Sequence, residues 1–367
     1  MFDTRRRLMS LRADPAQTRL NDLPPPAPLA DGEARLALDR FSLTTNNISY
    51  AAYGDAIGYW NVFPTGVEGW GLMPVWGFAD VLESRASGVE VGARVFGFFP
   101  MADTLTVQAG KVSRGGFADV SPWRAAVPDI YSRYVLCAAD RHYDPALENS
   151  EALFRPLFVT SYTAVDFLAG KSFFGARQIV VSSASSKTAY GAAWRLQQED
   201  VKVLALTGAG NRTFVEGLGC YDVVHVYEEI DSLPADAPTL YLDLAGDPGL
   251  RRRVHDRFGD LLVYDCLVGS TQSDSFQIDD PDLTGPRPVF FFAATCLDEH
   301  RERGTLHAFY ERFLADQKTF FARVVDPASP WIRIVEHQGL EAAADVVQAL
   351  AKGRADPAEG AIVRLGR

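Results

Sequence analysis

The sequence is poor in the residues that build metal centres and disulfide frameworks. Four cysteines, Cys137, Cys220, Cys266 and Cys296, are spread over 367 residues with no CxxC pair and no Cys–His spacing suited to zinc, so no metal site is expected. Cys137, Cys220 and Cys266 lie in or beside apolar segments and read as small core residues rather than nucleophiles. None of the six histidines stands in a metal or triad pattern, and His255 and His307 fall in expected surface helices. There is no Gly-x-Ser-x-Gly elbow for a hydrolase. No apolar run approaches the ~20 residues that span a bilayer, and no charged-then-apolar leader opens the chain. A cytoplasmic protein with reduced thiols is expected.

Positive charge is also scarce. Lys and Arg number 36 against 47 Asp and Glu, a formal net charge of −11, which argues against a nucleic-acid or anionic-membrane surface. Arg5-Arg6-Arg7 and Arg251-Arg252-Arg253 are the only basic runs, and each reads as a solvated helix face or helix end. What is present is ordinary globular material. At 47% hydrophobic and 23% charged, a chain of this length can fill two cores.

The first ~30 residues end in Asp22-Leu23-Pro24-Pro25-Pro26-Ala27-Pro28, a stiff stretch expected to lie on the fold as an extension. A β-rich region follows, with strands expected over Glu33 to Leu43, Trp76 to Glu83, Arg94 to Phe99 and Thr104 to Gln108. From about Ser150 the texture changes. A helix is expected over Leu153 to Leu168, then six short apolar strands: Ile179–Val181, Val201–Leu206, Val223–Val226, Leu240–Leu244, Leu261–Tyr264 and Val289–Ala293. Helical segments separate them, so a doubly wound parallel sheet is expected. Thr305 to Phe321 reads as a helix, Trp331 to Val335 as a strand, Leu340 to Leu350 as a helix and Ala361 to Leu365 as a last strand.

The turn after the first of these strands lacks glycine. Ser182-Ser183-Ala184-Ser185-Ser186-Lys187-Thr188-Ala189 stands between strand and helix, where backbone N–H groups and the positive helix end meet a phosphate in nucleotide-binding folds. Ser183, Ser185, Ser186 and Thr188 offer hydroxyls and Lys187 a charge. Ser185 and Ser186 also read simply as a helix N-cap. Ser186-Lys187-Thr188 with Leu240–Asp243 resembles degenerate Walker elements, but Val181 occupies the position of the required first glycine.

Further residues carry a family resemblance. Gly32 to Leu38 with Asn46, Gly88-Val89-Glu90-Val91-Gly92-Ala93-Arg94-Val95-Phe96-Gly97, Gly115-Gly116-Phe117-Ala118, Leu157 to Tyr162, Leu218-Gly219-Cys220-Tyr221-Asp222, Tyr241 to Gly246, Gly339 to Ala343 and Gly360 to Val363 follow one another in a familiar order. In that order they resemble the medium-chain dehydrogenase/reductase superfamily, most of all a divergent bacterial branch of its zinc-free quinone and enoyl reductases. The resemblance implies an α/β protein: a GroES-like β-rich substrate domain over 1–155 with the N-terminal extension 1–30, a Rossmann doubly wound parallel sheet over 156–296, and a return to the substrate domain over 297–367. The family's Gly-His-Glu zinc signature has no counterpart, since Trp76-Gly77-Phe78-Ala79 stands where it would fall. Reduction without zinc is therefore implied.

The same resemblance implies site residues. Thr160 matches the helical threonine near the nicotinamide, and Ser183, Ser185, Ser186, Lys187 and Thr188 replace the family's glycine loop. Thr207 ends the second strand, and Arg212 resembles the basic residue that takes the 2′-phosphate of NADPH; a solvated Arg opening a helix is the other reading. Asn46, Tyr50 and Tyr53 fall where relatives place polar groups facing the nicotinamide, and each tyrosine also reads as a packing residue. Tyr59, Trp60, Phe63, Trp70 and Trp76 are expected to line a pocket for a small, flat, apolar substrate. NADPH as cofactor, no zinc and a homodimer joined through the edge strand Pro288–Ala293 complete the expectation. The alternative is a silent reductase-like protein whose degenerate loop leaves an aromatic cleft for a ligand or partner.

Overall fold

A computed structural model describes residues 5–52, 54, 55, 58–268, 280 and 282–366. The chain divides into two compact units, Met1–Leu153 with Arg333–Arg367, and Phe154–Ile332.

In the first unit, β1 (Arg5–Leu11) and β2 (Asp14–Leu23) form an antiparallel hairpin and β3 (Glu33–Leu43) leads into α1 (Thr45–Ala52). Then come β4 (Trp70–Gly71), β5 (Pro74–Ser84), β6 (Arg94–Pro100), β7 (Thr104–Ser113), β8 (Gly116–Asp119) and β9 (Arg133–Leu136). The expected N-terminal extension is thus a strand pair that joins β4 in a sheet ordered β2-β1-β4, with Leu8 and Met9 buried beneath it. Over Ala34–Ala37, β3 pairs with β5 on one edge and with β7 on the other, which closes β3-β5-β6-β9-β8-β7 into a barrel. Gly116, which opens β8, requires glycine: φ is +141°, and a Cβ there would lie 2.0 Å from the Tyr134 carbonyl oxygen.

Arg94 organises charge beside the barrel. It donates to Asp39 Oδ2 at 2.6 Å, Asp80 Oδ1 at 3.1 Å and Glu148 Oε2 at 2.7 Å, and Glu148 is almost fully buried. The Gly92–Val95 segment therefore serves stability, holding three carboxylates around one guanidinium.

α2 (Glu148–Gly170) carries the chain into the second unit. Pro156 inside it has no N–H for the Ala152 carbonyl, and the Ser42 hydroxyl donates to that oxygen at 2.8 Å instead. Next come β10 (Gln178–Val181), α3 (Lys187–Leu196), β11 (Lys202–Thr207), α4 (Arg212–Leu218), β12 (Val223–Val226), β13 (Thr239–Asp243), α5 (Pro248–Phe258), β14 (Leu262–Leu267) and β15 (Pro288–Phe290). All pairings are parallel and the order is β12-β11-β10-β13-β14-β15, the 3-2-1-4-5-6 arrangement of a Rossmann sheet. β10, the central strand, is buried at every residue, as a strand covered on both faces must be.

Two boundaries differ from expectation. β15 ends at Phe290, and Ala293, expected in the strand, begins α6 (Ala293–Glu302). α6 and α7 (Leu306–Val324) belong to the second unit, so the return to the first begins at Arg333, not at 297. The reason is packing. Phe313 and Phe320 of α7 stack on Phe158 of α2 at ring separations of 5.9 and 4.4 Å. After that come β16 (Arg333–Gln338), α8 (Gly339–Ala351) and β17 (Glu359–Arg364), with β17 antiparallel to β3. The α/β architecture is the expected one, a GroES-like β-rich unit plus a Rossmann unit. Among the described residues no helix is long and apolar enough to cross a membrane.

Candidate functional site

The serine turn of the second unit keeps the geometry that glycine supplies elsewhere. Ser183 adopts φ +50°, a left-handed conformation unusual for a residue with a Cβ. The turn is held from three sides. Ser183 N–H donates to the Tyr227 phenol oxygen at 3.2 Å, Ala184 N–H donates to Leu206 O at 3.0 Å, and the Tyr221 hydroxyl donates to Ala184 O at 2.9 Å. Ser186 is the N-cap of α3, its hydroxyl oxygen accepting from Ala189 N–H at 3.3 Å. Lys187 and Thr188 form the first turn of α3, where the helix dipole favours an anion.

The structure brings most of the expected cofactor residues to this end of the sheet. Asn211 Nδ2 donates to Ser185 Oγ at 3.1 Å, which ties the serine turn to the turn after β11. Thr207 closes β11 with a buried hydroxyl that has no hydrogen-bond partner, and a Cβ added at Gly208 or Gly210 would meet nothing within 4 Å. Thr160 lies on α2 with its hydroxyl turned back to Pro156 O at 3.4 Å. Its neighbour Ser161 donates to Thr188 O at 2.7 Å, joining α2 to α3.

Arg212 opens α4, its side chain 40% exposed and paired with two carboxylates. It donates to Glu216 Oε1 at 3.1 Å and Glu229 Oε1 at 2.9 Å, and these two carboxylates hold its pKa above the ordinary guanidinium value. Tyr227, Tyr221, Asn211 and Glu229 escaped the sequence reading. The available signal was position: Tyr227 directly follows β12, at the strand end from which a side chain reaches the phosphate turn.

A buried ionic network lies beneath the same strand ends. Ser182 donates to Asp243 Oδ1 at 2.7 Å, and Asp243 Oδ2 accepts from Arg251 Nη2 at 2.6 Å. Asp265 Oδ2 lies 3.3 Å from Arg251 Nε and 2.9 Å from His255 Nε2. Asp243 and Asp265 are fully buried, and His255 and Arg251 are exposed by only 1% and 4%. The expectation of a surface His255 is therefore corrected, and in the basic run Arg252 and Arg253 are exposed as expected while Arg251 is buried. Arg251 and His255, one helical turn apart on α5, face two strand-end carboxylates, and burial pushes the Asp265 carboxyl above its usual range.

In the first unit, Asn46 and Tyr50 stand four residues apart on α1, and the Asn46 amide hydrogen-bonds the Tyr50 phenol. Tyr50 stacks on Tyr59 with ring centroids 4.4 Å apart, and Tyr131 meets Tyr59 edge-on at 5.4 Å. Burial raises the pKa of Tyr50, Tyr59 and Tyr131, so all three phenols keep their protons well above neutrality. Trp76 packs on Phe98 at 4.8 Å, and its buried indole N–H has no hydrogen-bond partner of good geometry. Tyr53 lies outside the described residues. Of the expected pocket lining, Trp60 is instead a core residue: a Cβ at Gly71 would lie 2.2 Å from its ring. Asn47, not Asn46, is the structural asparagine, accepting from Thr44 N–H and donating to Pro74 O, both at 2.8 Å.

One convergence contradicts the expectation that no cysteine and histidine stand at metal-ligand spacing. In the second unit Asp166, Cys296 and His300 place one ligand atom each within 4.8 Å of the others.

A family described as "Protein of unknown function (DUF2855)" matches residues 41–356. No curated protein sequence matches the chain. Among solved structures, CurA from Vibrio vulnificus in complex with NADPH is 16% identical, with 99% of each chain covered and a TM-score of 0.60. The quinone oxidoreductase from Coxiella burnetii is 14% identical over 99% of this chain and 100% of its own, with a TM-score of 0.55. The JamJ enoyl reductase in its apo form is 11% identical over 99% of both chains, with a TM-score of 0.58. These likenesses show the fold, that of medium-chain dehydrogenase/reductase-type enoyl reductases and quinone oxidoreductases.

Proposed function

The chain belongs to the DUF2855 family, and we propose that it is a zinc-independent, NADPH-dependent reductase of a conjugated carbonyl, an enone, enoyl compound or quinone. The observation that carries this reading is the Ser183–Ser186 turn, which keeps a left-handed residue and a capped helix N-terminus at the centre of a 3-2-1-4-5-6 sheet. The orphaned Thr207 hydroxyl and the open surface at Gly208 and Gly210 fit a dinucleotide at the same end. The solved relatives add support, one being bound to NADPH and others bearing the names quinone oxidoreductase and enoyl reductase.

NADPH, when bound, supplies hydride to the conjugated system. In this reading Ser183, Ser185, Ser186, Lys187 and Thr188 hold the pyrophosphate, Arg212 takes the 2′-phosphate, and Thr160 and Thr207 flank the cofactor. Tyr50, oriented by Asn46, donates a hydrogen bond to the oxygen on which charge accumulates, and Tyr53, three residues on in the sequence, is the other candidate phenol. The aromatic cluster of Tyr50, Trp76 and Tyr131, backed by the buried Tyr59, suits a flat apolar substrate.

A thermal-shift or fluorescence titration should show binding of NADPH in preference to NADH. Lys187→Ala should weaken both cofactors, and Arg212→Ala should weaken NADPH alone, each by about 10- to 150-fold. Because Glu229 competes for the guanidinium, Glu229→Gln should tighten NADPH. No binding at millimolar NADPH, or a preference untouched in Arg212→Ala, sinks the assignment. A second reading then takes over, in which the protein is a silent reductase-like ligand binder; it is favoured by the Tyr227 phenol already engaging Ser183 N–H and by the two carboxylates on Arg212.

We further propose a homodimer in the cytoplasm, formed by pairing of β15 with its symmetry mate. β15 is the sheet's edge, and Val289, Phe290 and Phe292 there are each more than two-fifths exposed. Light scattering at micromolar concentration should give twice the chain mass, and Val289→Lys should give the monomer. A monomeric wild type rules the proposal out.

A further inference from the structure

The helices of the second unit bring together three side chains that the reductase reading does not use. Cys296 and His300 are four residues apart on α6, so both project from one face of that helix, and Asp166 approaches from α2. Their ligand atoms lie within 4.8 Å of one another. His300 Nε2 is 2.9 Å from Asp166 Oδ2, and Nδ1 is 2.8 Å from the Thr305 hydroxyl oxygen. The Thr305 hydroxyl is itself directed at the His300 carbonyl at 3.3 Å, which leaves its oxygen to accept from Nδ1–H and aims Nε2 at the carboxylate. The ring is further fixed by Phe309, 4.7 Å away. Cys296 is 7% exposed, while His300 and Asp166 keep 15% and 21% of their side chains in contact with solvent.

We propose that Asp166, Cys296 and His300 form a site for a divalent transition-metal ion, zinc or a metal of similar softness. The donor set of thiolate, imidazole and carboxylate is one that zinc accepts, and calcium and magnesium do not take sulfur and nitrogen. In tetrahedral zinc the ligand atoms lie about 3.3–3.7 Å apart, so the three side chains reach the ion through small rotamer adjustments. Thr305, holding Nδ1, is the outer partner that fixes a ligating histidine. Binding releases the thiol proton to solvent, and water takes the fourth position. The site contains none of the residues assigned to NADPH and is independent of that assignment.

The test uses the full chain freed of metal by a chelator and titrated with Co²⁺. One equivalent should bind, with a thiolate-to-cobalt charge-transfer band in the near ultraviolet that Zn²⁺ abolishes by displacement. Zn²⁺ at about 100 times its dissociation constant should raise the unfolding temperature of this unit by about 5–10 °C. Cys296→Ser should lose the band and Cys220→Ser should retain it. Should Cys296→Ser fail to fold, Thr305→Val, which keeps all three ligands, should weaken binding about 10- to 100-fold. A chain that retains no cobalt, a band that survives in Cys296→Ser, or binding as tight in Thr305→Val leaves Asp166 as the ion-pair partner of His300 and Arg312 and overturns the proposal.

Discussion

Replacing Arg251 by methionine should destabilise the protein by about 3–5 kcal/mol, although the side chain belongs to a run that reads as surface. The side chain is buried, and its guanidinium lies 2.6 Å from Asp243 Oδ2 and 3.3 Å from Asp265 Oδ2, while both carboxylates are fully buried. Methionine fills similar volume but leaves two like charges in a low-dielectric interior with only His255 and hydroxyl or amide donors to answer them. The deficit should depend on pH in a definite direction. Burial already raises the Asp265 carboxyl, so its stabilising contribution is complete below the unfolded value of 3.8 and is lost as pH rises through the folded value. Removing Arg251 raises that carboxyl further, so the variant loses more at pH 7 than at pH 5. Urea unfolding of both proteins at the two pH values measures this. A loss under about 1 kcal/mol, or a deficit that grows on acidification, would show that the arginine is not what holds the carboxylates.

Tyr50→Phe should lower kcat by about 10²-fold or more while KM and NADPH affinity change little, given the reductase reading. The substitution keeps the ring stacked on Tyr59 and removes only the hydroxyl. Because burial raises the Tyr50 pKa, the group acts as a protonated donor throughout the working range, and its deprotonation adds no alkaline limb to the rate profile between about pH 6 and 9. Tyr59→Phe should cost less, since Tyr59 lies behind Tyr50 in the stack. Steady-state rates with NADPH and a simple quinone or enone decide the matter. Equal rates in wild type and Tyr50→Phe would remove Tyr50 from the chemistry.

How far these features could be read in the sequence depended on what each pattern reports. β10, β11 and β13 appear as short apolar runs because both faces of a parallel sheet are covered there, and they, with the half-buried edge strand β12, were legible within a residue or two. β2 was not: its residues alternate between half-buried and exposed, and its Asp and Pro resemble a coil. α1 was not read as a helix, because its eight mostly small and polar residues carry little helical periodicity.

The candidate site divided the same way. The serine turn and the basic residue after β11 were recognisable from position along the chain. The phenol of Tyr227, by contrast, reaches Ser183 from 44 residues away, a contact that no local pattern encodes. α5 reads as a charged surface helix because its burial is decided by Asp243 and Asp265 on strands elsewhere, and the composition of Pro248–Phe258 is silent on that. Cys296 and His300 have the spacing of one helical turn, which a search for CxxC pairs passes over.

The return of β16, α8 and β17 to the first unit also sets an order of assembly during synthesis. Residues Phe154–Ile332 are contiguous, so the Rossmann unit can complete its sheet as soon as that stretch has left the ribosome. The β-rich unit must wait, because β17 pairs with β3 across more than three hundred residues, as Ala361 opposite Leu43 illustrates. Until then the outer side of β3 is an unpaired strand edge at the end where Arg40 to Leu43 lie, the stretch that β17 later covers. A newly made chain therefore passes through a state in which its first-born half is the last to be finished, and that interval is when it is most exposed to misassociation and most in need of a chaperone.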